Sequence, residues 1–574
     1  MNNMSVMLKQ KIILSAVLFF LLFPFATICA QSVGLGQKAN FFIDPNYDLS
    51  QRDRISAILQ RAGNNAYFYV DEQWWNSLTQ EEKDKMNESL KNLDQEFYSK
   101  IYPVLISTFG LEWRPGIDND TRITILIHPM QEDAGGYFAE KDEYPRLAIT
   151  NSNEREMVYL NSKYIDTAYS KSFLAHEFTH LITFNQKDKT RGVSEDAWLN
   201  EARAEYAPTL SSYDLTYDDS NLQRRVKKFL EKPGDPLTEW QNISSDYGVI
   251  NLFIQYLVDH YGVKILSDSL QSTNIGIQSL DYALKKNNFK EDFSQVFTDW
   301  TIAVLINDCS VGIKYCYLNQ NLKNLRIVPQ INVLPSGGRS TLTITNATKN
   351  WAGNWYKIIG GKGLLKLKFA GNKNISFKVP YIIKNSNGAY TVGFLTLDTS
   401  HQGEIPVEDF GTENNALFLI PTIQNKDPEF SSEPFYSFSW SVSVAENSDN
   451  TDEINRLLAI IDSLKKQIAA IIAQKNGQSG AGSNYCLQIN SNLSFGMQNS
   501  NEIRCLQEFL KKQGADIYPE GFVTGNFGNL TRLAVIKFQE RYAPEILAPI
   551  GLSNGTGYVG ERTKQKINQI LGGG

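Results

Sequence analysis

The chain has 574 residues, of which 42% are hydrophobic and 12% aromatic, enough to build sizeable cores in several domains. Its formal charge of −6 is small for a mass of 64.9 kDa, and it carries no basic excess of the kind that nucleic-acid binding requires. We therefore expect a multidomain protein without a nucleic-acid partner.

The N-terminus has the pattern of an export signal. Two lysines precede the apolar run 12–25, which is too short to span a membrane comfortably, and Ala30 is a suitable cleavage residue. We expect residues 1–30 to be removed as a signal peptide, leaving no membrane span. The alternatives are an uncleaved anchor and a lipoprotein attached through Cys29, which the bulky Ile28 disfavours.

Residues 31–325 form the first predicted domain, which mixes strand and helix patterns. The segments 122–128 and 156–160 are typical of strands, whereas the chain from about residue 170 is mostly helical. Helices are predicted over 170–184, over 198–207 with an end near Pro208, over 247–261 and over 293–306.

The first of these helices carries an H-E-x-x-H segment, in a chain with only five histidines. His176 and His180 lie one turn apart on the same helix face, so both imidazoles can bind one metal ion. Glu177 projects beside that ion, where it can take a proton from water. The alternative is an ordinary pair of core or surface histidines.

A zinc ion at the two histidines needs a third protein ligand and an open position. A metzincin would continue the motif with glycine and histidine, but Thr183 and Gln186 stand there. The other common source of a third zinc ligand is a glutamate on a second helix. Glu201 is far enough along the chain for a loop to bring such a helix back to the two histidines. Glu205, one turn later, can accept the free N–H of a ligand histidine.

Residues 326–447 predict an all-β domain, a sandwich. Leu365, Leu367 and Phe369 alternate with lysines, and aromatic residues and valines alternate with serines over 436–444.

Residues 448–483 predict a helical spacer, a short coiled coil, followed by a flexible Gly/Ser linker. Apolar residues in alternating steps of three and four form a seam of under three heptads over 454–472. This seam favours either a weak dimer or a spacer helix packed on a neighbour.

Residues 484–574 contain an internal repeat. A T-G-x-[FV]-G-x-x-T turn at 524–531 recurs at 556–563, and each copy opens a helix.

Four cysteines remain after signal removal, in two pairs that are local in sequence. Export to an oxidising compartment favours Cys309–Cys316 and Cys486–Cys505 disulfides, each inside one domain. Four buried thiols are the alternative.

The segments 176–180 and 198–206, the second reading W-L-N-E-A-R-A-E-Y, resemble the gluzincin metallopeptidases, above all the hyicolysin-like and peptidase MA-like branches. Ala202 departs from the glycine usual in that pattern. The resemblance covers about 40–310 and implies a zincin-like metallopeptidase domain.

The resemblance further implies roles for individual residues. Zn²⁺ is expected to be held by His176, His180 and Glu201, with Glu205 behind them and Glu177 as the base that takes a proton from water. Tyr247 is expected to stabilise the oxyanion, with His260 as a weaker candidate and a core aromatic role as the alternative. By analogy, the strand around Ile125 is expected to be the edge that pairs with an extended peptide.

The repeated turns, with the A-V-x-x-F-Q helix at 534–539, resemble the three-helix peptidoglycan-binding domain of bacterial cell-wall enzymes. The match spans about 502–571, and the insert 542–554 is longer than usual. The alternative is a packing domain that has lost glycan binding.

We therefore expect a multidomain α+β protein: a zincin-like domain, a β-sandwich, a coiled-coil spacer and a peptidoglycan-binding domain. The expected function is that of a secreted, cell-wall-associated bacterial zinc metalloendopeptidase acting on protein or peptide substrates. Two alternatives are a hydrolase of peptidoglycan stem peptides and a non-catalytic surface binding protein on a zincin scaffold.

Overall fold

The computed structural model describes residues 34–425, 433–444, 461, 488–519 and 521–572. The predicted signal peptide, the spacer and linker apart from Ile461, and Cys486 lie outside these residues. The chain divides into two compact units, Met1–Asn455 and Arg456–Gly574.

The first unit contains a mixed six-stranded sheet. Its strand order is β1-β2-β3-β4-β6-β5; neighbours are parallel from β3 through β4 to β6 and antiparallel elsewhere. The strands are β1 (Lys38–Phe42), β2 (Arg54–Ala62), β3 (Ala66–Asp71), β4 (Ile123–His128), β5 (Gly136–Phe138) and β6 (Met157–Asn161).

Both faces of this sheet are buried. In β3, Phe68 and Val70 face the main helical core, whereas Tyr67 and Tyr69 face a second apolar cluster on the other side. The central strands β4 and β6 are buried along their whole length, which explains their continuous apolar sequence.

Helices cover one face of the sheet and extend beyond it. They are α1 (Glu72–Ser77), α2 (Gln80–Glu96), α3 (Tyr102–Phe109), α4 (Tyr169–Phe184), α5 (Ala197–Leu210), α6 (Asn221–Glu231), α7 (Ser244–Tyr261), α8 (Lys264–Leu270), α9 (Gly276–Lys286) and α10 (Phe293–Ile306). The four predicted helices are confirmed as α4, α5, α7 and α10, and α5 ends at Leu210, two residues beyond the Pro208 near which its end was predicted. Pro208 lies inside the last turn of α5, where a proline removes only one backbone hydrogen bond.

The second part of this unit is a nine-stranded antiparallel-rich sheet folded over its own core, with a two-stranded β11–β16 pair beside it. The path runs β13-β12-β15-β14-β10-β17-β8, and β9 joins β7 to β15. The strands are β7 (Gln330–Leu334), β8 (Ser340–Thr348), β9 (Tyr356–Gly360), β10 (Gly363–Gly371), β11 (Phe377–Lys378), β12 (Pro380–Asn385), β13 (Tyr390–Phe394), β14 (Gln402–Phe410), β15 (Asn414–Leu419), β16 (Thr422–Ile423) and β17 (Tyr436–Val444).

The helical and β parts of the first unit share one core. The buried Trp351 packs edge-on against Phe293 and Phe297 of α10, with ring centroids 4.8 and 5.2 Å away. Trp355 donates from its indole nitrogen to the carbonyl of Thr301, at 2.9 Å. The predicted division near residue 326 stays a prediction, although it marks the change from helices to strands.

The second unit has its own small core. Its helices are α11 (Asn501–Lys512), α12 (Asn529–Arg541), α13 (Ala543–Ile546) and α14 (Glu561–Gly572). The sequence repeat is a repeat in three dimensions: Gln507 accepts from the backbone N–H of Thr524 and Gly525. Thirty-two positions on, Gln539 accepts from Thr556 and Gly557 in the same way.

The Cys309–Cys316 disulfide is confirmed. Cys505 is disulfide-bonded as well; its pairing with Cys486 stays a prediction. Within the described residues, none of the helices has the length and apolar character needed to cross a membrane.

Candidate metal centre

Helices α4 and α5 pack side by side and bring together the residues of the two sequence motifs. The Nε2 atoms of His176 and His180 lie 3.2 Å apart. From α5, Glu201 Oε2 lies 3.3 Å from Nε2 of His176 and 3.7 Å from Nε2 of His180. Three potential ligand atoms therefore converge on one point.

The spacing of these atoms fits a tetrahedral zinc ion. With bonds of about 2.0–2.1 Å, the ligand atoms of such an ion are about 3.3 Å from one another. Among the described residues, these three form the one group of histidine, cysteine or acidic side chains close enough to hold a metal. Glu201 Oε2 is buried without a hydrogen-bond partner, as expected of an atom whose partner is an ion.

The remaining nitrogen of each imidazole also has a partner. His180 Nδ1 lies 3.1 Å from Oδ1 of Asn200, and His176 Nδ1 lies 3.4 Å from Oε1 of Glu205. Acceptors at Nδ1 select the tautomer that leaves Nε2 free to bind a metal. Glu205 lies where its carboxylate can accept from His176, and its role behind a bound metal stays a prediction.

Glu205 is itself anchored in the protein interior. Arg225 of α6 donates to both of its carboxylate oxygens, and the amides of Asn221 and Asn251 donate to Oε2. Burial would raise the pKa of Glu205, yet Arg225 and His176 hold it well below its usual range. The carboxylate is consequently charged and fixed in place.

The field at the centre favours positive charge. Burial opposes protonation of His176, but the carboxylates of Glu201 and Glu205, which face its two ring nitrogens, outweigh burial and raise the pKa of His176 to about 10. A cation at this point would meet the same two carboxylates.

Glu177 lies against the edge strand β5. A Cβ atom on Gly136 would lie 2.5 Å from the carbonyl of Tyr159 and 3.1 Å from Oε1 of Glu177, so glycine allows this close approach. Burial, with Glu201 and Glu205, raises the pKa of Glu177 to about 8. A carboxyl that titrates near neutrality can both take and return a proton.

The expected edge strand around Ile125 is wrong. That strand is β4, which has parallel partners on both sides, β3 and β6. The edge beside the centre is β5, whose residue Phe138 stacks near His180 with ring centroids 6.3 Å apart. A strand of three residues is too short to show an alternating pattern in the sequence.

Two tyrosines lie near the carboxylates. Tyr247, at the start of α7, donates from its hydroxyl to Oδ1 of Asn242 at 2.9 Å, and Arg225 lies over its ring. Burial and Glu201 raise the pKa of Tyr247. Tyr47 comes from the loop between β1 and β2, and no pattern in the sequence singled it out.

His260, the weaker candidate, hydrogen-bonds through Nε2 to the carbonyl of Cys316, and its ring lies 4.5 Å from that of Tyr256. Neither contact involves His176, His180 or Glu201.

No protein-family model matches this chain. No curated protein matches it either. Weak neighbours among solved structures include the M60 catalytic domain, with two CBM51 domains, of Clostridium perfringens ZmpB: 8% identity over 67% of this chain and 59% of that chain, with a TM-score of 0.21.

Two other weak structural neighbours match a smaller part of this chain. The pre-peptidase C-terminal domain of collagenase from Bacillus anthracis is 8% identical over 20% of this chain and 96% of its own, with a TM-score of 0.15. The lysozyme inhibitor PliG of Aeromonas hydrophila is 14% identical over 20% and 98%, with a TM-score of 0.13. TM-scores this low do not establish a shared fold. The resemblance to gluzincins therefore rests on the motif residues.

Proposed function

We propose that this protein is a secreted zinc metalloendopeptidase of the gluzincin type, with a zincin-like catalytic part. The observation that supports this most strongly is the convergence of His176, His180 and Glu201 at tetrahedral spacing, with Glu177 beside them.

Each side chain has a distinct task in this proposal. His176, His180 and Glu201 hold Zn²⁺, while Asn200 and Glu205 orient the two imidazoles. When bound, the ion supplies Lewis acidity, which activates water and polarises the scissile carbonyl. Glu177 takes a proton from the water on its carboxylate and returns it to the leaving amine.

The free edge of β5 is the proposed binding place for an extended peptide. It lies beside Glu177 and His180, and main-chain hydrogen bonds to a sheet edge hold a peptide independently of its side chains. A protein or peptide substrate is therefore proposed.

We further propose that the second unit is a three-helix peptidoglycan-binding domain that keeps the enzyme at the bacterial cell wall. The support is the paired turns held by Gln507 and Gln539, which match the repeat that the sequence resemblance rests on. Stem peptides of the wall are the alternative substrate.

The test combines metal analysis with two substrates. Purified full-length protein should contain one zinc per chain, and Glu201→Ala should lower that content; unfolded casein should be cleaved. Release of stem peptides from purified sacculi, with casein intact, would favour the alternative hydrolase. Protein without zinc and without activity would instead indicate a non-catalytic binding protein.

A further inference from the structure

Arg224 of α6 lies over the aromatic ring of Phe173, with its guanidinium carbon 5.3 Å from the ring centroid. Phe173 belongs to α4 and precedes both His176 and Glu177 by about one helical turn. Residues at these spacings share one face of a helix, so the ring lies on the side of α4 that carries a proposed ligand and the proposed base. Arg224 is therefore attached to the turn that precedes the H-E-x-x-H segment.

The ring of Phe173 also touches the chain at the start of the edge strand β5. A Cβ atom on Gly135 would lie 2.6 Å from three atoms of that ring, and the carbonyl of Gly135 accepts from the N–H of Asn161 in β6. The next residue, Gly136, begins β5 and makes the close approach to Glu177. A peptide on the free edge of β5 would pass Glu177 and Phe173 in succession. A side chain beside the scissile bond would then point to Arg224.

Asn221, at the start of α6, connects Arg224 to the metal centre. Its amide oxygen accepts from Nη2 of Arg224 at 2.7 Å, and its amide nitrogen donates to Oε2 of Glu205 at 3.1 Å. Glu205 is the carboxylate that faces His176. The guanidinium is thus oriented by a group that also contacts the support of the proposed ligands.

Arg224 is a cation without a carboxylate partner. In the described part of the chain it makes no ion pair, and its Nε is enclosed without a hydrogen-bond partner. The buried Arg203 and Arg225, by contrast, each contact a glutamate. Burial, and then the neighbouring Arg225, lower the pKa of Arg224 to about 10, which leaves it charged at neutral pH. A guanidinium withdrawn from water is normally paired with an anion.

The side chain of Arg224 is only partly buried, as is that of Phe173. No described residue accepts from Nη1 of Arg224, so this nitrogen can donate to a bound molecule. A carboxylate is the acceptor that a guanidinium binds most strongly, and the aromatic wall suits the apolar stem of an acidic side chain.

We propose that Arg224 is a specificity-determining residue that binds the carboxylate of an aspartate or glutamate side chain next to the scissile bond. Phe173 and Gly135 line the place where the stem of that side chain lies. The proposal rests on the proposed hydrolytic function and names its substrate class, peptides with an acidic residue at the cleavage point.

The test uses the zinc-loaded full-length protein and two fluorescence-quenched alanine peptides, which differ only in a central Glu or Gln. We expect kcat/KM to be about 10–100-fold higher for the Glu peptide, because a hydrogen bond to a charged group is made with that peptide alone. In casein digests, mass spectrometry should find Asp or Glu beside the cleaved bonds.

Variants of Arg224 make the comparison specific. Arg224→Gln can still donate to Asn221, so zinc content should not change, but the preference for Glu should fall to about threefold or less. Arg224→Glu should reverse the preference towards a peptide with a central Lys. Lys227→Gln, at an exposed position on the same helix, should keep the wild-type preference.

Binding gives a second readout that does not need turnover. In the Glu177→Gln background, fluorescence anisotropy should show the Glu peptide bound about tenfold more tightly than the Gln peptide, and Arg224→Gln should remove the difference. An active wild type that cleaves both peptides equally would overturn the role of Arg224 alone. Zinc-loaded protein that cleaves neither peptide, yet shows this charge-dependent binding, would overturn hydrolysis and retain Arg224. Protein that binds neither zinc nor the Glu peptide would overturn both.

Discussion

Arg225 donates a hydrogen bond to each carboxylate oxygen of Glu205, whose Oε1 faces Nδ1 of His176. The arginine thus holds the carboxylate that faces a proposed metal ligand. Removing it would leave a charged carboxylate buried and would loosen one imidazole.

We expect Arg225→Leu to weaken zinc binding by about 10–100-fold, measured by competition with a chelator. It should also lower the free energy of unfolding by about 3 kcal/mol, because one partner of a buried ion pair is lost. Lys228→Gln, at a partly exposed position on the same helix, is the control. Unchanged zinc affinity would show that Glu205 does not orient His176.

Glu177→Gln should retain zinc and lose hydrolysis. The amide cannot take a proton from water, so kcat should fall by about 10²–10⁴-fold. Metal analysis and casein cleavage measure the two effects, with Glu88→Gln on the surface of α2 as the control. Retained turnover would refute the assignment of the base.

Gly136→Ala should reduce activity without removing zinc. The added Cβ would meet the carbonyl of Tyr159 and the carboxylate of Glu177, and shifting β5 or Glu177 by about 1 Å can cost about 10²-fold in rate. Gly34→Ala, where a Cβ would meet nothing within 4 Å, is the matched control. Wild-type kcat in Gly136→Ala would mean that the close approach has no part in catalysis.

We expect the free energy of unfolding of the first unit to depend on pH through Glu143 and Glu156. Burial raises the pKa of both carboxyls, that of Glu156 to about 7, and the nearby Asp142 and Asp118 add to the effect while Lys189 opposes it. The folded state therefore binds more protons than the unfolded chain above pH 4.5, so stability falls as pH rises from about 4.5 to 7.

Glu143→Gln should flatten this dependence, because it removes one of the two buried carboxyls whose pKa is raised in the folded state. Between pH 5 and 7.5, urea unfolding should show a loss on the order of 2 kcal/mol in the wild type and a smaller loss in the variant. Equal slopes for the two proteins would assign the pH dependence elsewhere.

Gln539→Leu should destabilise the second unit. The buried amide accepts from Thr556 and Gly557 and donates to Tyr558 and Thr563. Losing these bonds leaves buried backbone groups unpaired, at about 1–3 kcal/mol each. Hydrogen exchange over 529–572 in the full chain measures this, with the exposed Gln565→Leu as the control. Protection equal to that of the wild type would contradict it.

Structural features could be predicted from the sequence where they depend on residues within a single helix or strand. The helix that carries His176 and His180, the alternating strand β10 and the helix over 293–306 each depend on residues within one element, and the structure contains all three. That the two histidines bind a metal stays a prediction. The third ligand could be proposed because a helix with a suitable glutamate followed within a short loop.

Contacts between residues far apart in the chain have no recognisable pattern in the sequence. Tyr47 stands in a loop, and its stacking partner Tyr137 belongs to a three-residue strand with glycines before it. The edge position of β5 depends on how the whole sheet is ordered. Residues of this kind are recognised only when the chain is folded.

Trp351 and Trp355 come from the β part of the first unit and pack against α10, the last helix of its helical part. A recombinant fragment that stops before β7 would therefore expose Phe293 and Phe297 to water, and we expect it to aggregate during expression. The shortest soluble piece that retains the metal centre should extend through β17, which makes Val444 the earliest sensible C-terminus for biochemical work.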